Sequence, residues 1–229
     1  MTPVHSRVAT MWERLLAIVC EEGVSGLASR GWSFAPWALR RRGNDGFDSE
    51  LGVDTAGQVP VWNLGVSSAN AKFASRYAAV NPSAFRNALA HVDLEPSKFS
   101  FIDLGCGKGR ALILAAQRGF KRVVGVEFAP GLAAIARKNL ERTGLAAEVV
   151  EGDVCQYRFP NDNLLVYMYN PFGSVVMVTV IKNLLDWVEN CRHTAYVFYL
   201  TDIHHKLFES EHAFELVARR DDFSIWRLR

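Results

Sequence analysis

From about residue 99 onward the chain alternates between short apolar runs and longer segments with helical periodicity. Runs at about 99–104, Arg122–Glu127, Ala147–Glu151, Leu164–Tyr169 and Thr194–Leu200 read as buried strands. Between them, 109–119, Pro130 to about Thr143, and 174–190 read as helices. Pro130 suits a helix start, and Gly144 stands just past the end as a stop signal. A short helix near 203–210 precedes two runs, 213–218 and 223–228. They are joined through Arg220-Asp221-Asp222 and predict an antiparallel hairpin. Strand–helix alternation of this kind predicts right-handed crossovers and a mainly parallel α/β sheet with helices on both faces.

The first part of the chain is less regular. Val8, Met11, Leu15 and Leu16 recur at helical spacing and predict an amphipathic helix over 8–23. Its charges at Glu13, Arg14, Glu21 and Glu22 exclude a membrane span and do not suit a signal peptide. Residues 44–70 read as a loop, and 70–92 as one or two helices interrupted at Asn81-Pro82, with Phe85, Leu89 and Val92 as a packing stripe. A long loop in a compact domain is more often a binding element than filler, so 47–57 is expected to close over a ligand or shape a pocket. The acids Asp48, Glu50 and Asp54 do not have calcium-loop spacing, and no metal is expected. The division that results is an extension over 1–75 and a sheet domain over 76–229.

Composition narrows the class without choosing a function. An apolar share of 49% and a charged share of 22% are those of a globular domain. Net charge is +2, with ten basic and nine acidic residues in 1–99 and sixteen and fifteen in 100–229. That balance argues against affinity carried mainly by nucleic-acid phosphates. Arg40-Arg41-Arg42 reads as a solvated turn. Cys20, Cys106, Cys155 and Cys191 form no metal-ligand or disulfide pattern, so a reducing, cytoplasmic setting is expected.

The chemistry gathers at Phe101-Ile-Asp-Leu-Gly-Cys-Gly-Lys-Gly-Arg110. It reads as a buried strand, a turn holding Gly105, Gly107 and Gly109, and the start of a helix. Glycines at these positions allow positive φ and let a ligand lie on the backbone. A dinucleotide site wants G-x-G-x-x-G, whereas here Arg110 stands where the last glycine of that pattern would be. Asp103, two residues before the first glycine, suits a ligand ammonium and not a pyrophosphate. A ligand with an amino-acid end, a ribose and a base fits this arrangement, and S-adenosylmethionine is such a ligand. A nicotinamide-dependent oxidoreductase is disfavoured by the same spacing.

Later strand ends supply a matching series. Glu127, at the end of the second run, can accept from ribose hydroxyls. Asp153 ends the third, where it and the backbone of Val154 can meet a base. Asn170-Pro171-Phe172 closes the fourth, where an amide carbonyl can hold the N–H of a nucleophile. Tyr167 and Tyr169 share one side of that strand and are expected as core or pocket wall. His204 and His205 are expected in solvated or capping roles, and Cys106 as a small filler in the turn.

The D-x-G-x-G-x-G stretch resembles the first motif of class I S-adenosylmethionine-dependent methyltransferases, and the likeness runs over about 80–200. Asp-Leu-Gly-Cys-Gly-Lys-Gly-Arg followed by Gly-Val-Glu is most similar to protein-lysine methyltransferases of the Dot1 type and to the related family that methylates lysine in membrane-associated proteins, and is similar also to many uncharacterised bacterial proteins. The resemblance implies a Rossmann-like, doubly wound, mainly parallel seven-stranded sheet whose C-terminal antiparallel hairpin supplies the reversed strand. It implies S-adenosyl-L-methionine as cofactor, with Asp103, Gly105 and Gly107 bounding its methionine part, Glu127 the ribose, and Asp153 with Val154 the adenine. Cys106, Gly109, Phe128 and Asn170 are also expected against the cofactor, and Asn170 with Pro171 and Phe172 at the transfer site. Asn-Pro-Phe departs by one proline from the Asn-Pro-Pro-Tyr/Phe of adenine-N6 and glutamine methyltransferases and also differs from the Dot1-type segment. The expected acceptor is a nitrogen, on protein lysine or a small amine, with nucleic acid second and a non-catalytic cofactor-binding protein as the other alternative.

Overall fold

The structure, a computed structural model, describes residues 46–59 and 77–229. The helix expected over 8–23 and the arginines at 40–42 lie outside the described residues. In chain order the elements are α1 (Phe47–Leu51), β1 (Gln58–Val59), β2 (Tyr77–Ala78), α2 (Pro82–Leu89), β3 (Ser100–Leu104), α3 (Arg110–Gln117), β4 (Arg122–Glu127), α4 (Pro130–Thr143), β5 (Glu148–Glu151), β6 (Leu164–Tyr169), α5 (Ser174–Glu189), β7 (Ala195–Leu200), α6 (His205–Glu209), β8 (Phe214–Arg220) and β9 (Phe223–Leu228).

Two stretches differ from the sequence reading. Residues 47–51 form a helical turn inside the expected loop, closed by Gly52 at φ 68°. Tyr77–Ala78 is not helical but pairs antiparallel with Gln58–Val59. The helix begins only at Pro82, where the Asn81 side chain accepts from the Ser83 and Ala84 N–H groups.

Seven strands form one sheet in the order β5-β4-β3-β6-β7-β9-β8. Neighbours from β5 through β7 are parallel, and β9 runs antiparallel to both β7 and β8. The reversed strand is therefore the second arm of the hairpin. Because β3 has β4 on one side and β6 on the other, the chain changes direction across the sheet at β3. That is where an open α/β sheet leaves a crevice at its carboxyl edge.

Strand alternation assigns the two faces. Phe101, Leu165, Tyr167 and Phe198 join Phe85 of α2 and Leu112 and Ile113 of α3 in one core layer. Ile102, Leu104, Val166 and Met168 join Met177 and Leu184 of α5 in the other. Each such side chain taken fully from water contributes about 1.5–3 kcal/mol before the cost of ordering it. Asp103 shares the first face with Phe101, which places a carboxylate at the top of an otherwise apolar layer.

Candidate functional site

The glycine turn follows β3 directly. Gly105 and Cys106 both donate their N–H to the Val126 carbonyl, at 2.8 and 3.1 Å, which ties the turn to the end of β4. Gly105 and Gly107 have φ of 88° and 54°. The side of each on which a Cβ would stand is occupied by other parts of the chain. A Cβ on Gly105 would lie 2.6 Å from Pro171 Cβ, and one on Gly107 would lie 2.2 Å from the Tyr77 ring. Gly109 has a different task. Its Cβ would lie 3.2 Å from that of Ala136, so it lets α3 and α4 approach and does not line the cavity.

A cavity of about 600 Å³, open to solvent, lies over this turn. Asp103, Gly105, Cys106, Gly107, Glu127 and Phe128 all line it. Tyr77, Tyr167, Tyr169 and Pro171 complete its other side. A second hollow of about 380 Å³ adjoins it, sharing Gly105, Phe128 and Pro171. Its wall is apolar, from Val126, Val154, Phe172 and Val176, with Asp153 as its one charged lining residue among the described residues. A compartment carrying Asp103 and Glu127 thus lies beside one with an apolar wall.

The electrostatics of the larger cavity favour a cation. Asp103 and Glu127 are both 3% exposed, and neither has an ion-pair partner among the described residues. Burial, and then the Glu127 charge, raise the Asp103 carboxyl well above its ordinary range. Burial also raises Glu127, against backbone hydrogen bonds that pull the other way. Its Oε2 accepts from Gly107 N–H at 2.8 Å and its Oε1 from Ala129 N–H at 2.9 Å. Cys106 is held well above the usual thiol range by burial and then by Asp103 and Glu127, so it is no thiolate nucleophile.

The turn's own cations are paired with acids of residues 48–54, although Arg110 also lines the cavity. Lys108 Nζ meets Asp54 at 2.8 Å and the Ala56 carbonyl at 3.1 Å. Arg110, 4% exposed, pairs with Asp48 at 3.0 Å and donates through Nε to Thr55 Oγ1 at 2.6 Å, while the Thr55 hydroxyl donates to Asp48. Burial raises the Asp48 carboxyl, but bonds from Thr55 and Ala56 together with the Arg110 charge outweigh it and hold the group low. Asn139 of α4 closes the arrangement by bonding both N–H and C=O of Asp54. Residues 48–56 are thus fastened to the outside of the turn. Tyr77, whose hydroxyl donates to the Thr55 carbonyl at 2.6 Å, carries that attachment to the cavity wall.

At the other side of the crevice, Asn170 takes φ 39° and donates its N–H to the Leu200 carbonyl at 3.1 Å. Its Oδ1 is buried without a hydrogen-bond partner. Asn170 itself lines neither hollow, whereas Tyr169 and Pro171 on either side line the larger one and Phe172 the smaller. Asp153 Oδ1 accepts from Cys155 N–H at 2.9 Å and so caps the short turn Val154–Gln156. His205 Nδ1 lies 2.9 Å from the Asp202 carbonyl, and no group of residues able to hold a metal occurs among the described residues.

Sequence reasoning did not reach Tyr77, which lies in a stretch read as helix and lines the cavity from a short strand instead. The side shared by Tyr167 and Tyr169 was legible from their spacing. That they share a cavity with Asp103 was not.

Residues 101–191 match a family model described as a methyltransferase domain. A demethylmenaquinone methyltransferase of Thermus thermophilus is 30% identical over 104 residues, which is 45% of this chain and 44% of that protein. A 23S rRNA (uracil(1939)-C(5))-methyltransferase of Xanthomonas campestris is 35% identical over 88 residues, 38% of this chain and 19% of that protein. The chain therefore spans less than half the length of these curated relatives. Among solved structures, the T. thermophilus 16S rRNA N2 G1207 methyltransferase, in complex with AdoMet and guanosine, superposes with a TM-score of 0.50. The identity is 20%, over 72% of this chain and 45% of that one, a likeness of fold. No described helix is long and apolar enough to cross a membrane.

Proposed function

Taking residues 101–191 as a class I methyltransferase domain with S-adenosylmethionine as its cofactor, we propose that the chain transfers a methyl group to a nitrogen acceptor, on protein lysine or a small amine. The observation that carries the cofactor part is the pair of buried acids, Asp103 and Glu127, lining one cavity with neither in an ion pair among the described residues, while Arg110 of the same lining pairs with Asp48. Asp103 holds the ammonium of the amino-acid tail, and Glu127 accepts from the ribose while anchoring Gly107. The apolar hollow around Phe128, Val154 and Phe172 receives the base, with Asp153 at its edge.

The bound cofactor supplies a methyl group already activated by the sulfonium. The chain's part is to hold the acceptor in line, which is worth on the order of 7–11 kcal/mol. Asn170 at the end of β6 supports a nitrogen acceptor, because an amide oxygen takes an N–H and is not a base for an O–H nucleophile; its Oδ1 is buried and outside both hollows in the free chain, so it reaches an acceptor only after a local shift. A lysine must arrive neutral, and deprotonating it at pH 7 from a pKa of about 10.4 costs roughly 4–5 kcal/mol. Partial desolvation at Tyr169 and Pro171 reduces that cost. On this reading, residues 1–75 form an extension to the domain at 76–229, with 48–56 bracing the cofactor turn from outside.

A nucleic-acid acceptor, such as an adenine amino group, is the second reading. It is favoured by Asn-Pro-Phe at the strand end and by the ribosomal RNA enzyme among the relatives. Transfer of labelled methyl from S-adenosylmethionine into cell lysate, treated separately with protease and nuclease, separates the two. Protease-sensitive or small-molecule label is expected. Label lost only to nuclease assigns the second reading, and no label at all overturns both.

A further inference from the structure

We propose that Tyr167 is a cofactor-binding residue, whose hydroxyl accepts a hydrogen bond from the ammonium group that Asp103 pairs. This rests on the reading of the larger cavity as the S-adenosylmethionine site.

Asp103 and Tyr167 are register partners on the adjacent parallel strands β3 and β6, so their side chains leave the same face of the sheet. Both line the cavity. Tyr167 is 2% exposed and its hydroxyl is buried without a hydrogen-bond partner. Buried tyrosine hydroxyls are ordinarily bonded, and one left open beside a cavity marks the place of a ligand's polar group.

The ring cannot turn away to find another partner. Phe85 packs edge-on at 5.5 Å between ring centres, Phe101 lies at 5.6 Å, and Phe198 at 6.5 Å. Burial, and then Asp103, Tyr169 and Tyr77, all raise the hydroxyl's pKa, so it stays protonated with its lone pairs available. The three groups acting on it also line the cavity. A carboxylate and a neutral hydroxyl on adjacent strands, both lining one hollow, accept the N–H bonds of an ammonium group.

The test is calorimetric titration of wild type and Tyr167→Phe with S-adenosylhomocysteine and with 5′-methylthioadenosine, which lacks the amino-acid tail. Tyr167→Phe is expected to weaken S-adenosylhomocysteine about ten- to a hundredfold, the range for a bond to a charged group. It should leave 5′-methylthioadenosine within about twofold, and the free protein should melt no lower than wild type, since the hydroxyl lost had no partner. Equal weakening of both ligands, or of neither, overturns the proposal. So does a marked fall in the variant's melting temperature, which would reveal a structural partner. A wild-type protein that binds neither ligand removes the cofactor reading itself, an outcome distinct from loss of discrimination.

Discussion

The backbone N–H of Gly107 donates to Glu127 Oε2 at 2.8 Å, joining the middle of the glycine turn to the end of the neighbouring strand. The other oxygen accepts from Ala129 N–H at 2.9 Å, so one carboxylate fixes both the turn and the entry into α4. It serves the architecture before any ligand arrives. Glu127→Ala leaves two buried N–H groups without acceptors, at about 1–3 kcal/mol each. The expected result is a lower midpoint in chemical denaturation. S-adenosylhomocysteine and 5′-methylthioadenosine should weaken together, because the ribose is common to both. Unchanged affinity for both would remove Glu127 from the site.

The Asp48–Arg110 pair braces the same turn from outside. Arg110 is 4% exposed, so Asp48→Ala removes one counter-charge from a buried guanidinium. Breaking a buried pair from one side typically costs about 3–5 kcal/mol, while replacing both partners by apolar residues is often close to neutral. Asp48→Ala is expected to show a loss of that order by urea denaturation. The double variant Asp48→Leu, Arg110→Met should recover most of it. Full additivity of the two changes would mean that the pair is not a unit.

Gly125 and Gly131 make a sharper contrast, since neither is held by positive φ. A Cβ at Gly125 would meet Cys106 Sγ at 2.6 Å and Leu112 Cδ1 at 2.7 Å, whereas one at Gly131 meets nothing within 4 Å. Gly125→Ala is expected to destabilise by about 1–3 kcal/mol through overpacking. Gly131→Ala, near the start of α4, should stabilise by about 0.5–1 kcal/mol through helix propensity. Thermal melts of the two variants should move in opposite directions.

What the sequence made legible follows the range of the forces involved. Arg122–Glu127, Leu164–Tyr169 and the helix from Pro130 to Thr143 were readable because apolar runs, a proline at the first turn and Gly144 at φ 64° act locally. The Asp48–Arg110 and Asp54–Lys108 pairs join polar residues 62 and 54 positions apart and leave no periodicity to read. Tyr77 is in the same class: its local sequence says nothing of Gly107, although its ring fills the space a Cβ there would need. Gly109 shows the converse error. Its place in the motif suggested a ligand contact, and its neighbour is Ala136 of the adjoining helix. A glycine pattern reports close approach without saying what approaches.

Asn170 can be separated from its backbone role because its φ of 39° suits glycine. Asn170→Gly keeps the turn and removes the unpartnered Oδ1. If that oxygen holds the acceptor, turnover should fall by about 10²-fold or more while S-adenosylhomocysteine affinity stays within about threefold, the pattern of an interaction made in the transition state. Equal loss of cofactor affinity would assign Asn170 to the cofactor instead.

Asp103 gives a prediction in which stability and binding move in opposite directions. Burial, and then Glu127, raise its carboxyl well above the ordinary value of 3.8. Between the unfolded and folded values the native state holds a proton that the unfolded chain has released. The slope of stability with pH is therefore negative there, and the full penalty is present above the folded value. Asp103→Asn removes the titration. The variant is expected to melt above wild type at pH 7, by about 2–4 °C for each kcal/mol relieved. That difference should shrink as the pH falls and vanish below the ordinary carboxylate range. A ligand cation favours the ionised carboxylate, so wild-type affinity for S-adenosylhomocysteine should rise with pH over the same interval, while the variant binds weakly throughout. Melting curves and calorimetry across pH 4–8 check both halves. A variant less stable than wild type at pH 7 would mean that Asp103 has a cationic partner in the free protein.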